Sequence, residues 1–263
     1  TGTSNMLLWN THNPFRSCLV FDDGYCVLWD YQESNHYVES NYLYIDEVRT
    51  GASMFYFAKG DKVKSAAENF SDQVGQAFKK KGKHSKRLAI DKIMLDGFKS
   101  LENRDFKIEN GEKIMEHARS IKSSEEIKAM RCSISACETS MHIMENKTKP
   151  GMTENDIWSI LHSENIKRGG EWIETRLLSS GTKTNPWFQE CGSRVLQNNE
   201  IVAFDTDLVG CYSICTDISR TWWIGDQEPT NEMKQDYRIA LDHIQQNAEL
   251  VAPGIHFRDL TFK

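Results

Sequence analysis

No uninterrupted apolar run in this sequence approaches the roughly 20 residues that a helix needs to span a bilayer. No leader of the kind that directs secretion opens the chain either. These absences predict a protein without a membrane segment. The chain also starts without Met, and we therefore expect that further residues precede Thr1 in the native protein.

The cysteines lack the pattern of a disulfide framework or of a zinc site. The seven cysteines are odd in number and scattered, and no two of them are spaced CxxC. We therefore expect reduced thiols and a cytoplasmic protein. Cys211 and Cys215 form a CxxxC pair, for which we do not expect a role in metal binding.

An excess of positive charge is absent as well. The 32 Lys and Arg residues and the 38 Asp and Glu residues give a formal net charge of -6, which argues against a dedicated nucleic-acid binder. We interpret the basic run at residues 79–87 as a solvated helix end and loop. The 263 residues are enough for two globular domains.

The N-terminal part of the chain has the alternating pattern of a small α/β domain. Apolar residues 18–21 and 25–29 flank Asp-Asp-Gly at residues 22–24, which predicts a hairpin. The pattern then predicts a helix near residues 63–78, a strand at 87–90 and a helix at 94–102. We expect this domain to cover residues 1–115.

A long helix opens the second domain, which we expect to cover residues 116–263. Ser123 and Glu126 form the S-x-x-E pattern of a capping box. Apolar residues then recur at three- and four-residue steps, which predicts one buried helix face: Ile127, Met130, Ile134, Cys137, Met141 and Met144. We interpret the methionines as core residues, and Thr153 is the predicted cap of the next helix.

A weak internal repeat follows these helices. Residues 149–156 (KPGMTEND) resemble residues 252–259 (APGIHFRD), and each copy follows a long helical pattern. The first copy is followed by about a hundred residues with strands and acidic groups, whereas the second copy is followed by four. We therefore expect the second half of a duplicated architecture to be incomplete in this chain.

Three aspartates follow the first copy of the repeat. Asp205 and Asp207 lie two residues apart in a predicted buried strand, which places both side chains on one face. Gly210 permits a turn, and a second strand would return Asp217 to the same place. Clustered carboxylates are unfavourable unless a cation neutralises them. The hairpin therefore predicts a site for a hard or borderline divalent metal, although a pair of surface acids remains the alternative.

This acidic hairpin, together with the capped helix and the Pro-Gly repeat, resembles the creatinase, aminopeptidase P and methionine aminopeptidase superfamily. The resemblance implies an α+β fold, in which a small N-terminal α/β domain precedes a pita-bread domain that is truncated here at its C-terminal end. It also implies a homodimer and two metal ions held by aspartates, a histidine and two glutamates. Of these ligands, Asp205, Asp207 and Asp217 are present, and the others would follow Lys263.

Two features differ from the peptidases of that superfamily. Asp217 follows Asp205 by twelve residues and Asp207 by ten, a shifted ligand spacing. In addition, Trp187 and Phe188 occupy the segment in which those peptidases place a catalytic histidine. A peptidase without that histidine would lose a group that stabilises its tetrahedral intermediate.

Three segments resemble the dimethylsulfoniopropionate lyases of the DddP type: residues 9–16 (WNTHNPFR), 185–190 (NPWFQE) and 204–208 (FDTDL). That resemblance implies β-elimination of a small-molecule substrate to dimethyl sulfide and acrylate. It also implies iron as the metal, with manganese and zinc as alternatives. Aromatic faces suit an onium cation, and we expect Trp9, Trp187 and Phe188 to bind the substrate. The catalytic base would lie beyond Lys263.

Three other functions remain open at this point. An Xaa-Pro metallopeptidase is the first, and a metal-free creatinase-like hydrolase is the second. The third is a non-catalytic pita-bread binding module, which would have little use for the three aspartates. For Trp222 and Trp223, which follow the acidic hairpin, we favour core packing over substrate binding.

Overall fold

The computed structural model describes residues 16–30, 36, 44–51 and 53–262. The chain divides into two compact units. The first comprises Thr1–Ser135 and Val209–Cys215, and the second comprises Ala136–Leu208 and Thr216–Lys263. The domain division at residue 115 stays a prediction, since the chain first passes from one unit to the other at residue 135.

The first unit begins with the predicted hairpin. Strand β1 (Ser17–Val20) pairs antiparallel with β2 (Cys26–Asp30). The turn at residues 22–24 forms because Gly24 adopts a φ of +84°, a conformation that residues with a Cβ atom rarely adopt. Strand β3 (Glu47–Thr50) pairs parallel with β2 and completes a three-stranded sheet.

Two helices follow this sheet, α1 (Tyr56–Lys59) and α2 (Val63–Lys80). The longer helix buries one side, because Phe70 and Phe78 are two helical turns apart. Phe70 contacts Trp29 of β2 edge-on, with ring centroids 5.1 Å apart. These aromatic residues form the centre of the hydrophobic core of the first unit.

Four further elements continue the first unit: β4 (Arg87–Ile90), α3 (Leu95–Glu102), β5 (Lys107–Asn110) and α4 (Glu112–Ser120). Strand β4 pairs parallel with β5 in a separate two-stranded sheet. The predicted helix at 63–78, strand at 87–90 and helix at 94–102 are confirmed. The basic run forms the end of α2 and the loop before β4, as predicted.

Both predicted helix caps are present. Helix α5 (Ser124–Lys147) begins after Ser123, whose hydroxyl accepts from the Glu126 amide while the Glu126 carboxylate accepts from the Ser123 amide. Helix α6 (Glu154–Lys167) begins after Thr153, which forms the same reciprocal pair with Asp156. The apolar face of α5 is buried in its second half, whereas Ile127 and Ile134 are exposed. The prediction for α5 therefore holds for its C-terminal half only.

Five strands follow α6 along the chain: β6 (Leu178–Ser180), β7 (Glu200–Phe204), β8 (Leu208–Val209), β9 (Cys215–Thr216) and β10 (Arg220–Ile224). The second unit is built around an antiparallel sheet of order β10-β7-β6. The core of this unit lies where α5 and α6 pack their apolar side chains against this sheet. The two short strands β8 and β9 form a separate pair between β7 and β10 in the chain.

Two helices end the described chain, α7 (Asn231–Leu250) and α8 (Phe257–Thr261). The repeat is visible in the backbone, because Gly151 and Gly254 adopt φ values of +91° and +88° and each precedes a helix by three residues. Helix α7 has no buried residue within the described structure. Within that same part of the chain, no helix has the length and apolarity required to cross a membrane.

Candidate functional site

The three predicted ligands lie at one end of the β7–β10 hairpin. Strand β7 ends at Phe204, so the prediction of a regular strand through Asp207 was wrong. The backbone nevertheless stays paired: the Asp205 amide donates to the Leu177 carbonyl (2.9 Å), and the Asp207 carbonyl accepts from the Glu174 amide (3.0 Å). The side chains therefore keep the alternation of a strand.

Thr206 lies between the two aspartates and faces the interior, where it is fully buried. Its hydroxyl donates to the Thr216 carbonyl (3.1 Å) and accepts from the Ile218 amide (3.2 Å). These two bonds join the segment after β7 to the segment before β10. Asp205 and Asp207 consequently face the other side, and both are partly exposed.

Asp217 returns beside Asp205, as the sequence predicted. The register that pairs Arg220 with Phe204 brings Ser219 to Asp205, and the Ser219 hydroxyl donates to the Asp205 carboxylate at 2.7 Å. Partial desolvation raises the pKa of Asp217, and the charges of Asp205 and Asp207 and a hydrogen bond with Asp205 raise it further. Two carboxylates in direct contact repel each other when both are ionised.

A divalent cation would relieve this repulsion, and carboxylate oxygens are suitable ligands for manganese or iron. Asp207 takes part less directly, since its carboxylate accepts from the Thr175 hydroxyl at 2.8 Å. Among the residues that the structure describes, no three His, Cys, Asp or Glu side chains are close enough to hold a metal ion. The pair Asp205 and Asp217 thus fits one side of a metal site, and the three-aspartate ligand set stays a prediction.

A loop beside the aspartates carries the two predicted aromatic residues. We call residues 181–191 the aromatic loop. It leaves β6 through a 3-10 turn (Gly181–Thr184) and returns where Glu190 bridges to Leu177, the residue whose carbonyl binds the Asp205 amide. Glu190 is thus paired with Leu177, and Leu177 is in turn hydrogen-bonded to Asp205. The returning segment is therefore separated from Asp205 by one intervening strand segment.

Phe188 is held in an unusual conformation on this loop. Its φ is +68°, which is an outlier for a bulky residue. Its ring is 78% exposed, whereas Trp187 is half-buried. Such backbone strain, of about 1–3 kcal/mol, persists only where the surroundings fix it and is concentrated at functional sites.

A buried carboxylate that sequence reasoning missed binds both ends of the aromatic loop. Glu154, the first residue of α6, is fully buried. Its oxygens accept from Ser180, Lys183 and Gly192. No local signal separates Glu154 from its acidic neighbour Asp156, because the partners are 26 to 38 residues away.

The model of metallopeptidase family M24 matches residues 128–263, slightly more than half of the chain. The chain belongs to family M24. The match covers both helices of the repeat, the aspartate hairpin and the aromatic loop.

Two curated relatives of this M24 chain share about half of its residues. The chain is 52% identical to dimethylsulfoniopropionate lyase DddP of Roseobacter denitrificans and 51% identical to that of Roseovarius nubinhibens. In both cases the match covers 99% of this chain and 59% of the relative. An uncharacterized peptidase of Staphylococcus aureus is 28% identical over 54% of the chain.

Solved structures of a dipeptidase and a prolidase have a similar fold. The Xaa-Pro dipeptidase of Bacillus anthracis matches 98% of this chain with a TM-score of 0.76 at 16% identity, and 67% of that structure is covered. The prolidase of Pyrococcus horikoshii matches 98% with a TM-score of 0.74 at 17% identity, and 68% is covered. The predicted α+β class with a pita-bread domain is confirmed.

The remaining aromatic predictions for this M24 chain have different outcomes. Trp222 packs against the core and contacts Phe204 edge-on, with ring centroids 5.5 Å apart, which confirms core packing. Trp223 is partly buried, and its indole donates to the Gln227 carbonyl. Trp9 lies outside the described residues, so its role in substrate binding stays a prediction.

Proposed function

We propose that this protein is a metal-dependent dimethylsulfoniopropionate lyase. The observation that carries the proposal is the identity of 52% and 51% to two lyases of that name, over 99% of this chain. Because the chain spans 59% of their length, the activity of the whole protein is inferred from this part. Trp187 and Phe188 support the same function, since they replace the histidine expected of a peptidase.

The substrate carries a carboxylate at one end and a dimethylsulfonium cation at the other. In β-elimination, a base removes a proton from the carbon next to the carboxylate. The electron pair of that C–H bond forms the double bond of acrylate, and the C–S bond breaks with its electron pair on sulfur. The products are acrylate, neutral dimethyl sulfide and one proton, so atoms and charges balance.

The residues of this chain have two roles in the proposed reaction. Asp205, Asp207 and Asp217 would hold the metal, which would supply Lewis-acid activation of the substrate carboxylate when bound. Iron is the proposed metal, as two ions, with manganese or zinc as alternatives. Trp187 and Phe188 offer aromatic faces to the sulfonium cation, an arrangement that contributes about 0.5–2 kcal/mol.

A second candidate function is Xaa-Pro dipeptide hydrolysis. The structures of similar fold include a dipeptidase and a prolidase, but their identities of 16% and 17% show the fold alone. The aromatic residues at positions 187 and 188 argue against this function, because the Trp187 indole can only donate a hydrogen bond and the Phe188 ring has no polar atom, whereas the expected histidine can both donate and accept one. We also propose a cytoplasmic homodimer.

Gas chromatography tests the proposed function directly. The protein is loaded separately with Fe²⁺, Mn²⁺ or Zn²⁺ and incubated with dimethylsulfoniopropionate. We expect dimethyl sulfide and acrylate in equal amounts, and no cleavage of Xaa-Pro dipeptides under the same conditions. Dipeptide cleavage without dimethyl sulfide would establish the peptidase instead.

A further inference from the structure

The geometry points to Glu154 as a positioning residue that holds the aromatic loop in its substrate-recognition conformation. This inference deepens the proposed lyase function and rests on it. Glu154 lies at the start of α6 and therefore on a different element from the loop that it binds. Its side chain reaches the loop from the interior of the second unit, where it is fully buried.

A single carboxylate joins the beginning and the end of the loop. One oxygen of Glu154 accepts from the amide (3.0 Å) and the hydroxyl (2.8 Å) of Ser180, which precedes the loop. The other oxygen accepts from the Gly192 amide (3.1 Å), which follows the loop, and from the Lys183 ammonium (2.7 Å) within it. The two ends are thereby fixed relative to α6 and to each other.

The surrounding charges complete this arrangement. A buried carboxylate is tolerated only when donors and an opposite charge satisfy it. Lys183 supplies that charge and also donates to the Glu190 carbonyl at 3.2 Å, farther along the loop. Arg194 donates to the Ser180 hydroxyl and forms a bidentate ion pair with Glu200 of β7 (2.7 and 2.6 Å). The loop is therefore anchored to the strand that ends at the carboxylate pair.

Such anchoring explains how an exposed aromatic ring keeps a strained backbone. Phe188, with its φ of +68°, sits near the middle of the loop. A flexible loop would relax this residue to an ordinary conformation, because strain persists only where the structure fixes it. A loop held in advance also avoids the ordering cost of binding. The expected consequence of releasing it is weaker substrate binding with little change in the chemical step.

Glu154→Gln is the test variant. Glutamine has the same size but replaces one acceptor oxygen with an NH₂ group, so one end of the loop loses its acceptor. The matched control is Glu164→Gln in the same helix. Glu164 is also nearly buried and also binds two cations, but these are Lys167 of α6 and Arg168, the residue that directly follows α6.

Two measurements on the full-length, metal-loaded protein are needed. In Glu154→Gln, amide hydrogen exchange in residues 181–192 should become about tenfold faster, the expected effect of one lost buried hydrogen bond. The KM for dimethylsulfoniopropionate should rise about threefold to thirtyfold, the range of an aromatic–cation contact, while kcat stays unchanged. Glu164→Gln should change neither quantity.

Each outcome decides part of the inference. Unchanged exchange in the loop would overturn the anchoring role of Glu154. Faster exchange with an unchanged KM would overturn the role in substrate recognition. If the wild-type protein releases no dimethyl sulfide, the proposed function fails and the recognition role fails with it, whereas the exchange data still decide the anchoring.

Lys183→Met provides a second variant in case Glu154→Gln does not fold. Lys183 is partly exposed, and its removal leaves the two backbone amides bound to Glu154. We expect a smaller increase in exchange and in KM than for Glu154→Gln. Unchanged exchange and an unchanged KM in a folded Lys183→Met variant would overturn the role of this ion pair in holding the loop.

Discussion

At the scale of single residues, Thr206 fixes the side-chain orientation of Asp205 and Asp207. Its buried hydroxyl joins the two strands of the hairpin through Thr216 and Ile218. In a paired backbone with alternating side chains, this orientation forces Asp205 and Asp207 toward the other face. The carboxylate pair therefore depends on a neutral side chain that binds no metal.

Asp217→Asn tests the metal site. The substitution should abolish bound metal and lyase activity together, because it removes one of the two carboxylates in contact. The metal-free variant should melt at a slightly higher temperature than the metal-free wild type at neutral pH. The raised pKa of Asp217 shows that its ionised form is disfavoured in the folded protein, and asparagine removes that charge.

The higher melting temperature expected for metal-free Asp217→Asn should depend on pH. Folding raises the pKa of the Asp217 carboxyl above its ordinary value of 3.8. The carboxyl therefore destabilises the folded protein as the pH rises from 3.8 through the raised pKa, and it has no such effect below 3.8. The gain should therefore vanish at low pH. Asp236→Asn on exposed α7 is the control. Retention of metal at the wild-type ratio by Asp217→Asn, measured by elemental analysis, would contradict the assignment.

Trp187 is predicted to bind the sulfonium group of the substrate. Trp187→Ala should raise KM by several-fold to about thirtyfold, since an aromatic–cation contact contributes about 0.5–2 kcal/mol. Trp187→Phe should have a milder effect, because a smaller aromatic face remains. Melting temperature is measured on the same two variants. Lower melting temperatures with an unchanged KM would show that Trp187 serves packing alone.

At the scale of secondary-structure elements, the sequence predicted the features that depend on residues close together in the chain. The turn at residues 22–24 and both helix caps were predicted because all of their partners lie within four residues. The sequence indicated a regular strand through Asp207, whereas β7 ends at Phe204 and the residues after it bind residues 174 and 177, which are far away in sequence. The network of Glu154 was missed because its partners are 26 to 38 residues away.

Thr153 should contribute measurably to the stability of α6. Thr153→Ala removes the hydroxyl that accepts from the Asp156 amide at 3.1 Å, and the loss of such a cap costs about 1 kcal/mol. Urea denaturation should show a lower midpoint with an unchanged slope. Ser159→Ala, on the exposed side of the same helix, should have little effect. Equal losses in both variants would argue against a special role of the cap.

At the scale of the whole molecule, the sequence supplied the family and the fold class, whereas the domain division at residue 115 stays a prediction. The helix predicted to open the second domain does exist, but α5 starts in the first compact unit and ends in the second. The apolar pattern shows that a helix has a buried face. It does not show which unit covers each part of that face, because the covering residues are distant in sequence.

Exposed apolar side chains on α7 should make the 263-residue chain associate at high concentration. Tyr237 and Ile244 are 52% and 66% exposed, and clustered apolar surface promotes association. Ile244→Lys should lower the apparent mass measured by light scattering and leave the melting temperature unchanged. Gln246→Lys adds the same charge to the same helix and should have a smaller effect. Equal effects would assign the association to net charge instead.

The first copy of the Pro-Gly repeat indicates a substitution that should stabilise the second copy. Gly151 and Gly254 have nearly the same φ, and Asp156 and Asp259 occupy the same position in the helix that follows. The first copy has a threonine at the cap, whereas the second has His256, whose side chain makes no cap bond. Transplanting the threonine as His256→Thr should therefore create a reciprocal pair with Asp259 and slow amide exchange in α8. Helix α8 would then have the same reciprocal capping interaction that Thr153 and Asp156 form at the start of α6.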